Sequence, residues 1–332
     1  MNHTLCEYVF HAVFIDRDGA VYACCHKQPA PYGNIYQSPL ADILRGYAAE
    51  RAREKAANGS LHCFSGCNLL NFNVKRELPS NLQIAASSQQ IRKITLALGW
   101  FCNIKCRMCP QDHGERNFLD VEVLKRHIDW SHVGEIICEG GEPFAAPTVR
   151  ELWDHLISMG KKVNFVTNGL IMTPEKAAKA ASHSDYIYIS FNAATPATYA
   201  RVTQGASWAK LLGNLAMIQE ARRAAASPLR IIGHFTIIEE NLDELPDFLD
   251  LAVALGLDIV NFGYNRIAHM GRCIDGLLEQ NRALRDGLSR RLHEAVLRTR
   301  DFIVIDASRL EYLRLLNSTD LQLAKVVRPS GM

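Results

Sequence analysis

The chain has 332 residues, 48% of them hydrophobic and 22% charged, which is the composition of a globular protein with a buried core. Its net charge of +2 is too small to favour binding to nucleic acid or to an anionic membrane surface. The sequence lacks a run of about 18 apolar residues that would span a bilayer, and we expect no membrane contact. It also lacks a basic region followed by an apolar stretch at its start, so we expect a cytoplasmic protein.

Residues 1–75 are interpreted as a small, cysteine-rich module. Two apolar runs flank a turn-forming cluster at 16–19, which predicts a β-hairpin, and a helical stretch follows at 38–59. Half of the ten cysteines lie in this part of the chain: Cys6, Cys24, Cys25, Cys63 and Cys67. Residues 76–90 are polar and predict a linker.

From residue 91 to about 270 the sequence alternates between strand and helix signals. Short apolar or β-branched runs lie at 91–98, 135–140, 162–169, 185–192, 229–238 and 256–265. The amphipathic stretches between them predict helices, hence parallel strands in a doubly wound sheet or in a full or partial barrel. In either architecture the functional residues lie at the carboxyl ends of the strands. Residues 271–332 read as mainly helical, with one apolar run at 302–306.

Three cysteines occupy the loop that follows the first of these strands. Cys102, Cys106 and Cys109 have the spacing C-x3-C-x2-C, and clustered cysteines in a reducing compartment favour metal binding or redox chemistry. A structural zinc site would need a fourth ligand, for which His113 is the nearby candidate. A dithiol redox pair would not use Cys102. Iron–sulfur clusters are held by thiolates at such short spacings, and three thiolates leave one iron open to another ligand.

The loop and the motifs after the next strands together resemble the radical S-adenosylmethionine (SAM) superfamily. The sequence GGEP at 140–143 follows the second strand, TNG at 167–169 follows the third, and ISFNAATPATYARVTQG at 189–205 spans the end of the fourth. The resemblance implies an α/β fold, namely a partial (β/α)6 TIM-type barrel over 91–270, with the cysteine-rich module before it and a helical extension at 271–332.

The resemblance also implies cofactors and roles for single residues. Cys102, Cys106 and Cys109 would bind three irons of a 4Fe–4S cluster, and SAM would chelate the fourth. Glu142 would accept the SAM ammonium group, and Met108 would lie beside the adenine. The full set of implied cofactor contacts is Met108, Gly140, Gly141, Glu142, Pro143, Asn168, Ser190 and Asn192. Reductive cleavage of SAM would then give a 5′-deoxyadenosyl radical that abstracts hydrogen from a substrate.

The first 75 residues show a second resemblance, to the SPASM/twitch type of auxiliary-cluster module. Gly19 and Cys24 form a G-x4-C step, and a pair of cysteines follows in CFSGC at 63–67. The resemblance implies a second 4Fe–4S cluster held by Cys6, Cys24, Cys63 and Cys67, with Cys25 competing with Cys24 as ligand. A zinc ion on the same four thiolates is the alternative.

These resemblances predict an oxidation, assisted by the auxiliary cluster, of a small polar metabolite or a peptide, with a reductant such as flavodoxin or ferredoxin. One alternative is an epimerase in which Cys273 donates a hydrogen atom to the substrate radical, although an inert thiol is the commoner state of such a cysteine. An alternative of another class is a non-catalytic iron–sulfur or zinc redox sensor. For His234, a core role and a ligand contact remain equally open.

Overall fold

A computed structural model describes residues 6, 8–27, 30–61, 90–264 and 273–317. The chain forms two compact units. The first consists of Met1–Cys102 and Asp112–Phe165, and the second of Asn103–Gln111 and Val166–Met332. Two predicted ligands, Cys63 and Cys67, and nearly all of the predicted linker at 76–90 lie outside the described residues.

The elements follow one another along the chain in largely alternating order from residue 93 onward. The strands are β1 Ala12–Ile15, β2 Ala20–Tyr22, β3 Gly33–Asn34, β4 Lys93–Ala97, β5 Lys105–Cys106, β6 Glu135–Glu139, β7 Asn164–Thr167, β8 Tyr186–Ser190, β9 Thr203–Gln204, β10 Arg230–Ile237, β11 Ile259–Tyr264 and β12 Val304–Asp306. The α-helices are α1 Tyr8–His11, α2 Leu40–Arg45, α3 Tyr47–Ala57, α4 Val121–His127, α5 Val149–Ser158, α6 Pro174–His183, α7 Pro196–Val202, α8 Trp208–Ala224, α9 Leu245–Ala254, α10 Ile274–Gln280, α11 Arg282–Thr299 and α12 Ser308–Tyr312.

In the first unit, the predicted hairpin is present and its first strand joins a parallel sheet. Strand β1 pairs antiparallel with β2 and parallel with β4, while β4 pairs parallel with β6 and β6 with β7. The pairing of β1 with β4 was not predicted, because a strand's own sequence pattern does not specify its neighbour. It places the end of β1 beside the ends of β4 and β6.

In the second unit, β8, β10, β11 and β12 form a parallel sheet in that order, and β5 pairs antiparallel with β9. Helix α9 covers one face of this sheet. Its Phe248 lies with its ring centroid 5.7 Å from Phe191, 5.0 Å from Phe235 and 6.2 Å from Phe262. Since side chains alternate along a strand, the residues next to these phenylalanines face away from α9.

The prediction of an α/β fold with parallel strands is therefore confirmed, and each of the six predicted runs from 91 onward contains an observed strand. The single helical stretch expected at 38–59 is instead two helices, α2 and α3, which meet at Gly46 in extended backbone. Within the described residues, no helix combines the length and apolarity needed to cross a membrane.

Candidate active site

The cysteine loop begins directly after β4. Its two stems, residues 98–102 and 113–119, are joined by backbone contacts in the first unit. Gly99 forms a bridge with Phe118, Leu119 donates its N–H to the carbonyl of Leu98 at 2.9 Å, and Cys102 donates its N–H to the carbonyl of His113 at 3.3 Å. These bonds hold the two stems side by side and fix the backbone between β4 and Cys102.

The other two cysteines belong to the second unit. Cys106 ends β5, and the N–H of Cys109 donates to the Cys106 carbonyl at 3.1 Å, so the pair is held in a turn. All three loop cysteines are half-buried, and none forms a disulfide. Burial raises the pKa of the Cys109 thiol, so in the absence of a metal its proton is retained more strongly than usual.

The two glycines of GGEP pack against the backbone of the cysteine loop within the first unit. Gly140 and Gly141 have φ of +84° and +52°. A Cβ on Gly140 would lie 2.9 Å from the carbonyl oxygen of Gly99, and one on Gly141 would overlap the carbonyl oxygen of Phe101. Only glycine therefore fits here, since both the left-handed backbone and the close approach exclude a side chain.

Glu142 contacts the cysteine loop through its backbone and stabilises a turn through its side chain. Its N–H donates to the carbonyl of Phe101 at 2.9 Å, and its buried carboxylate accepts a hydrogen bond from the N–H of Phe144 at 3.1 Å. That bond caps the 3₁₀ turn Pro143–Ala145. The predicted role of Glu142 as acceptor of the SAM ammonium group stays a prediction, and Pro143 serves as the first residue of this turn.

Met108 and Asn168 both support the cysteine loop in the second unit. Met108 is buried with Val202 and Ile238 in an apolar cluster against which Cys106 packs. The side-chain amide of Asn168, just after β7, donates to Oδ1 of Asn103 at 2.9 Å. The structure thus places Asn168 on the segment between the first two loop cysteines.

Asn192 occupies a left-handed backbone position just beyond β8, with φ of +57°. Its side-chain oxygen accepts a hydrogen bond from the N–H of Thr236 at 2.8 Å, and its carbonyl accepts one from the amide of Asn241 at 2.9 Å. Asn241, which sequence reasoning missed, also donates to the Thr236 carbonyl. Asn192 and Asn241 together fix the ends of β8 and β10, and contact of Asn192 with SAM remains a prediction.

A row of polar side chains crosses four parallel strands of the second unit at one register level. Ser190 pairs with His234, His234 with Asn261, and Asn261 with Asp306. Since His234 and Asn261 adjoin Phe235 and Phe262 in sequence, they lie on the face away from α9. We call these four residues the polar row. Asn261 and Asp306 were missed, because only the strand register aligns them.

Hydrogen bonds along the polar row fix the protonation of His234. Asn261 donates through Nδ2 to Asp306 at 2.6 Å, so its Oδ1 accepts from Nδ1–H of His234 at 2.7 Å. Burial lowers the pKa of His234, which keeps the ring neutral. Its Nε2 is then a hydrogen-bond acceptor, 3.1 Å from the hydroxyl of Thr236.

Glu139, the last residue of β6, was also missed by sequence reasoning. Its side chain is half-buried, and Gly140 follows it in sequence. Burial raises the pKa of Glu139 from the ordinary 4.5 to about 7, with a further contribution from the charge of Asp16 and an opposing one from Lys93. No hydrogen bond to this carboxylate is found within the described part of the chain. The group therefore titrates near neutral pH.

We expect this raised pKa to make the protein less stable as pH increases. The protonated Glu139 stabilises the folded state fully at a pH below the pKa of the unfolded state, 4.5. This stabilisation is lost as the pH rises through the folded-state pKa of about 7. The loss amounts to at most about 3 kcal/mol at 1.36 kcal/mol per pKa unit. Thermal unfolding of Glu139→Gln between pH 5 and 8 should lack this decline. Glu220→Gln, which removes the same charge from an exposed position, should retain it.

Comparison with known proteins identifies two domains. Residues 98–252 match the radical SAM superfamily, and residues 6–68 match SPASM, an iron–sulfur cluster-binding domain. The protein combines a radical SAM domain with a preceding SPASM domain. Both resemblances drawn from the sequence are confirmed, including the order of the two domains. A radical SAM domain with a SPASM domain implies a 4Fe–4S cluster, SAM and an auxiliary cluster.

Several curated relatives share parts of this chain. A PqqA peptide cyclase of Streptomyces rochei is 32% identical over 36% of this chain and 31% of its own length. A probable GTP 3′,8-cyclase of Methanothermobacter thermautotrophicus is 28% identical over 34% of this chain and 39% of its own. The mycofactocin maturase MftC of Mycobacterium ulcerans is 28% identical over 49% and 44%. The chain thus spans roughly a third to two fifths of the first two relatives.

Among solved structures, Streptococcus suis SuiB bound to the precursor peptide SuiA is 12% identical, with 68% of this chain and 52% of that chain covered and a TM-score of 0.48. The same protein bound to S-adenosylmethionine covers 60% of this chain and 45% of that chain, with a TM-score of 0.44.

The cysteine loop offers the donor atoms that an iron–sulfur cluster takes, because such clusters are held by cysteine thiolates and none of the three loop cysteines forms a disulfide. Within the described ranges, no group of three or more His, Cys, Asp or Glu side chains is arranged to hold a single metal ion.

In the SPASM domain, Cys6 is buried, Cys24 half-buried and Cys25 exposed, while Cys63 and Cys67 lie outside the described residues. We predict that Cys6, Cys24, Cys63 and Cys67 bind the auxiliary cluster. Anaerobically reconstituted protein should then contain about eight irons, the sum of two four-iron clusters. A measured iron content near four with one equivalent of zinc would instead support the zinc alternative.

Proposed function

We propose that this protein is a radical SAM enzyme that removes a hydrogen atom from a peptide or a small polar molecule and completes an oxidation with help from its auxiliary cluster. The observation that carries the proposal is the contact between the cysteine loop and GGEP. Two positive-φ glycines and the backbone of Glu142 are fitted against residues 99–101. A non-catalytic sensor has no need for this second motif.

In this proposal Cys102, Cys106 and Cys109 hold the cluster that binds SAM. When bound, the cluster and SAM would supply a 5′-deoxyadenosyl radical, which requires one electron from a partner such as flavodoxin or ferredoxin. The chain's own residues position these groups. Gly140, Gly141 and Glu142 shape the backbone, while Met108, Ser190 and Asn192 supply apolar and polar contacts. Exclusion of water around these groups would protect the radical.

The polar row supports a polar substrate. Ser190, neutral His234, Asn261 and Asp306 lie on the face of the parallel sheet away from α9, near its carboxyl edge, where α/β enzymes bind their ligands. The Nε2 of His234 already lies 3.1 Å from the hydroxyl of Thr236, so a hydroxyl or amine of the substrate would bind there in place of that contact. Relatives named as a peptide cyclase and a maturase support a peptide as the larger candidate.

The test is anaerobic reconstitution followed by incubation with SAM and dithionite in deuterated buffer, with candidate peptides and small polar molecules added. Formation of 5′-deoxyadenosine that increases with one of these substrates is expected, together with a product lacking two hydrogens. Absence of any SAM cleavage from cluster-loaded protein would favour the sensor.

The same experiment separates oxidation from epimerisation. Cys273, half-buried at the start of α10, is the proposed hydrogen donor for the epimerase alternative. An epimerase would place solvent deuterium on the product carbon without changing its oxidation state, and Cys273→Ala would abolish that label while 5′-deoxyadenosine still forms. Normal turnover of Cys273→Ala would leave the oxidative route.

A further inference from the structure

The turn between β1 and β2, which belongs to the SPASM domain, contacts both stems of the cysteine loop within the first unit. The guanidinium of Arg17 lies 3.6 Å above the centroid of the Trp100 ring. The same guanidinium pairs with Glu115 at two points. Nε lies 2.8 Å from Oε1, and Nη2 donates to Oε2 at 3.0 Å. Arg17 therefore links residues on the two sides of Cys102.

These contacts are stronger than those of an ordinary surface ion pair. The side chains of Arg17 and Glu115 are only 18% and 19% exposed, and the hydrogen bond from Nη2 to Oε2 joins two charged groups, which makes it stronger than a bond between neutral groups. Stacking on an indole adds a cation–π interaction. Exposed pairs, by contrast, contribute little to stability.

The neighbours of Arg17 hold it in place. Its N–H donates to the carboxylate of Asp16 at 2.9 Å, and the same carboxylate forms an ion pair with Lys27. The ammonium of Lys27 lies 5.6 Å from the centroid of the Trp100 ring. Further along the SPASM domain, the hydroxyl of Tyr36 accepts the N–H of Asp120 at 3.2 Å, beyond the second stem. The SPASM domain thus contacts the stems of the loop and the residue Asp120 beyond them at several points.

The two stems have little regular backbone structure to hold them. Between Gly99 and Phe118 the first unit contains no strand or helix, so the stems are held there by single backbone bonds, such as that from Cys102 to His113, and by side-chain contacts. Trp100 precedes Cys102 by two residues, and Glu115 follows His113, whose carbonyl accepts the N–H of Cys102. Moving either stem would move the Cys102 backbone.

From this geometry we infer that Arg17 is a positioning residue for the SAM-binding cluster. It fixes the Cys102 end of the loop through Trp100 and Glu115, so that the SPASM domain contributes to the SAM site. The inference rests on the proposed assignment of the cluster to Cys102, Cys106 and Cys109. The inference requires the planar guanidinium of arginine, which stacks on Trp100 and donates to Glu115 at the same time, whereas lysine offers a single charged point.

Arg17→Met and Arg17→Lys test this inference against a matched control. Arg222→Met removes an ion pair of similar burial, 22% exposed and paired with Asp258 in the second unit. We expect both Arg17 variants to keep their auxiliary cluster. Arg17→Met should bind SAM about 10–100-fold more weakly, the usual range for residues that orient a metal ligand. Arg17→Lys should be intermediate, and Arg222→Met should bind SAM normally. SAM binding is read from its effect on the electron paramagnetic resonance spectrum of the reduced cluster.

Amide hydrogen exchange of the cluster-free protein provides an independent readout. Arg17→Met should accelerate exchange at residues 99–102 and 113–118, whereas Arg222→Met should not. Normal exchange in this segment together with a normal SAM response would overturn the inference. If SAM does not change the spectrum of the wild-type protein, the proposed function fails. The hydrogen-exchange data alone then decide whether Arg17 stabilises the loop.

Discussion

Replacing Cys102, Cys106 and Cys109 together with alanine should abolish formation of 5′-deoxyadenosine from SAM. The three thiols are the ligands that we assign to the SAM-binding cluster, and without them no open iron is available to chelate SAM. The iron content should fall from about eight to about four per chain, because the four thiolates that we predict for the auxiliary cluster are unchanged in this variant. Both quantities can be measured on one anaerobic preparation, by chromatography and by iron analysis.

Cys138→Ala is the matched control for this triple variant. Cys138 lies buried within β6 at 1% exposure and packs as a small apolar residue. We expect its variant to retain the full iron content and SAM cleavage, with only a modest loss of stability. Undiminished SAM cleavage by the triple variant would falsify the assignment of the cluster, whatever the behaviour of the control.

Gly141→Ala should have the second largest effect, combining lower stability with loss of SAM cleavage. A left-handed φ costs an alanine about 1–2 kcal/mol, and overpacking adds about 1–3 kcal/mol. The added Cβ would overlap the carbonyl oxygen of Phe101 and lie 2.7 Å from the carbonyl carbon of Trp100. Because these are backbone atoms, relief requires the cysteine loop itself to move. Thermal unfolding and 5′-deoxyadenosine formation measure the two consequences.

Gly160→Ala is the control that separates the free-energy cost of a left-handed backbone from the steric clash of an added Cβ. Gly160 has a similar positive φ of +70°, but a Cβ added there would meet no atom within 4 Å. We expect Gly160→Ala to lose only the about 1–2 kcal/mol of the left-handed backbone and to cleave SAM normally. Equal stability and equal SAM cleavage in the two variants would show that the contact between GGEP and the loop has no role in the site.

Some residues of the candidate site could be predicted from the sequence, and others could not. Cysteine spacing and GGEP are contiguous motifs, so they were found without coordinates. Asn168 and Asn192 were found as motif members, but their hydrogen bonds to Asn103 and Thr236 depend on loops that meet only in the folded chain. The partners of these two asparagines could not have been predicted.

The α/β class with parallel strands could be predicted from the periodicity of the amino-acid sequence. The two iron–sulfur modules and their order were implied by the resemblance of short motifs to known families. Periodicity and short motifs are both local. Folding was needed to establish that β1 pairs with β4, that Arg17 lies over Trp100, and that His234, Asn261 and Asp306 align across three strands. Strand order, register and the partners of a charged side chain depend on the packing of segments distant in sequence, and no local pattern specifies which distant segment will be the neighbour.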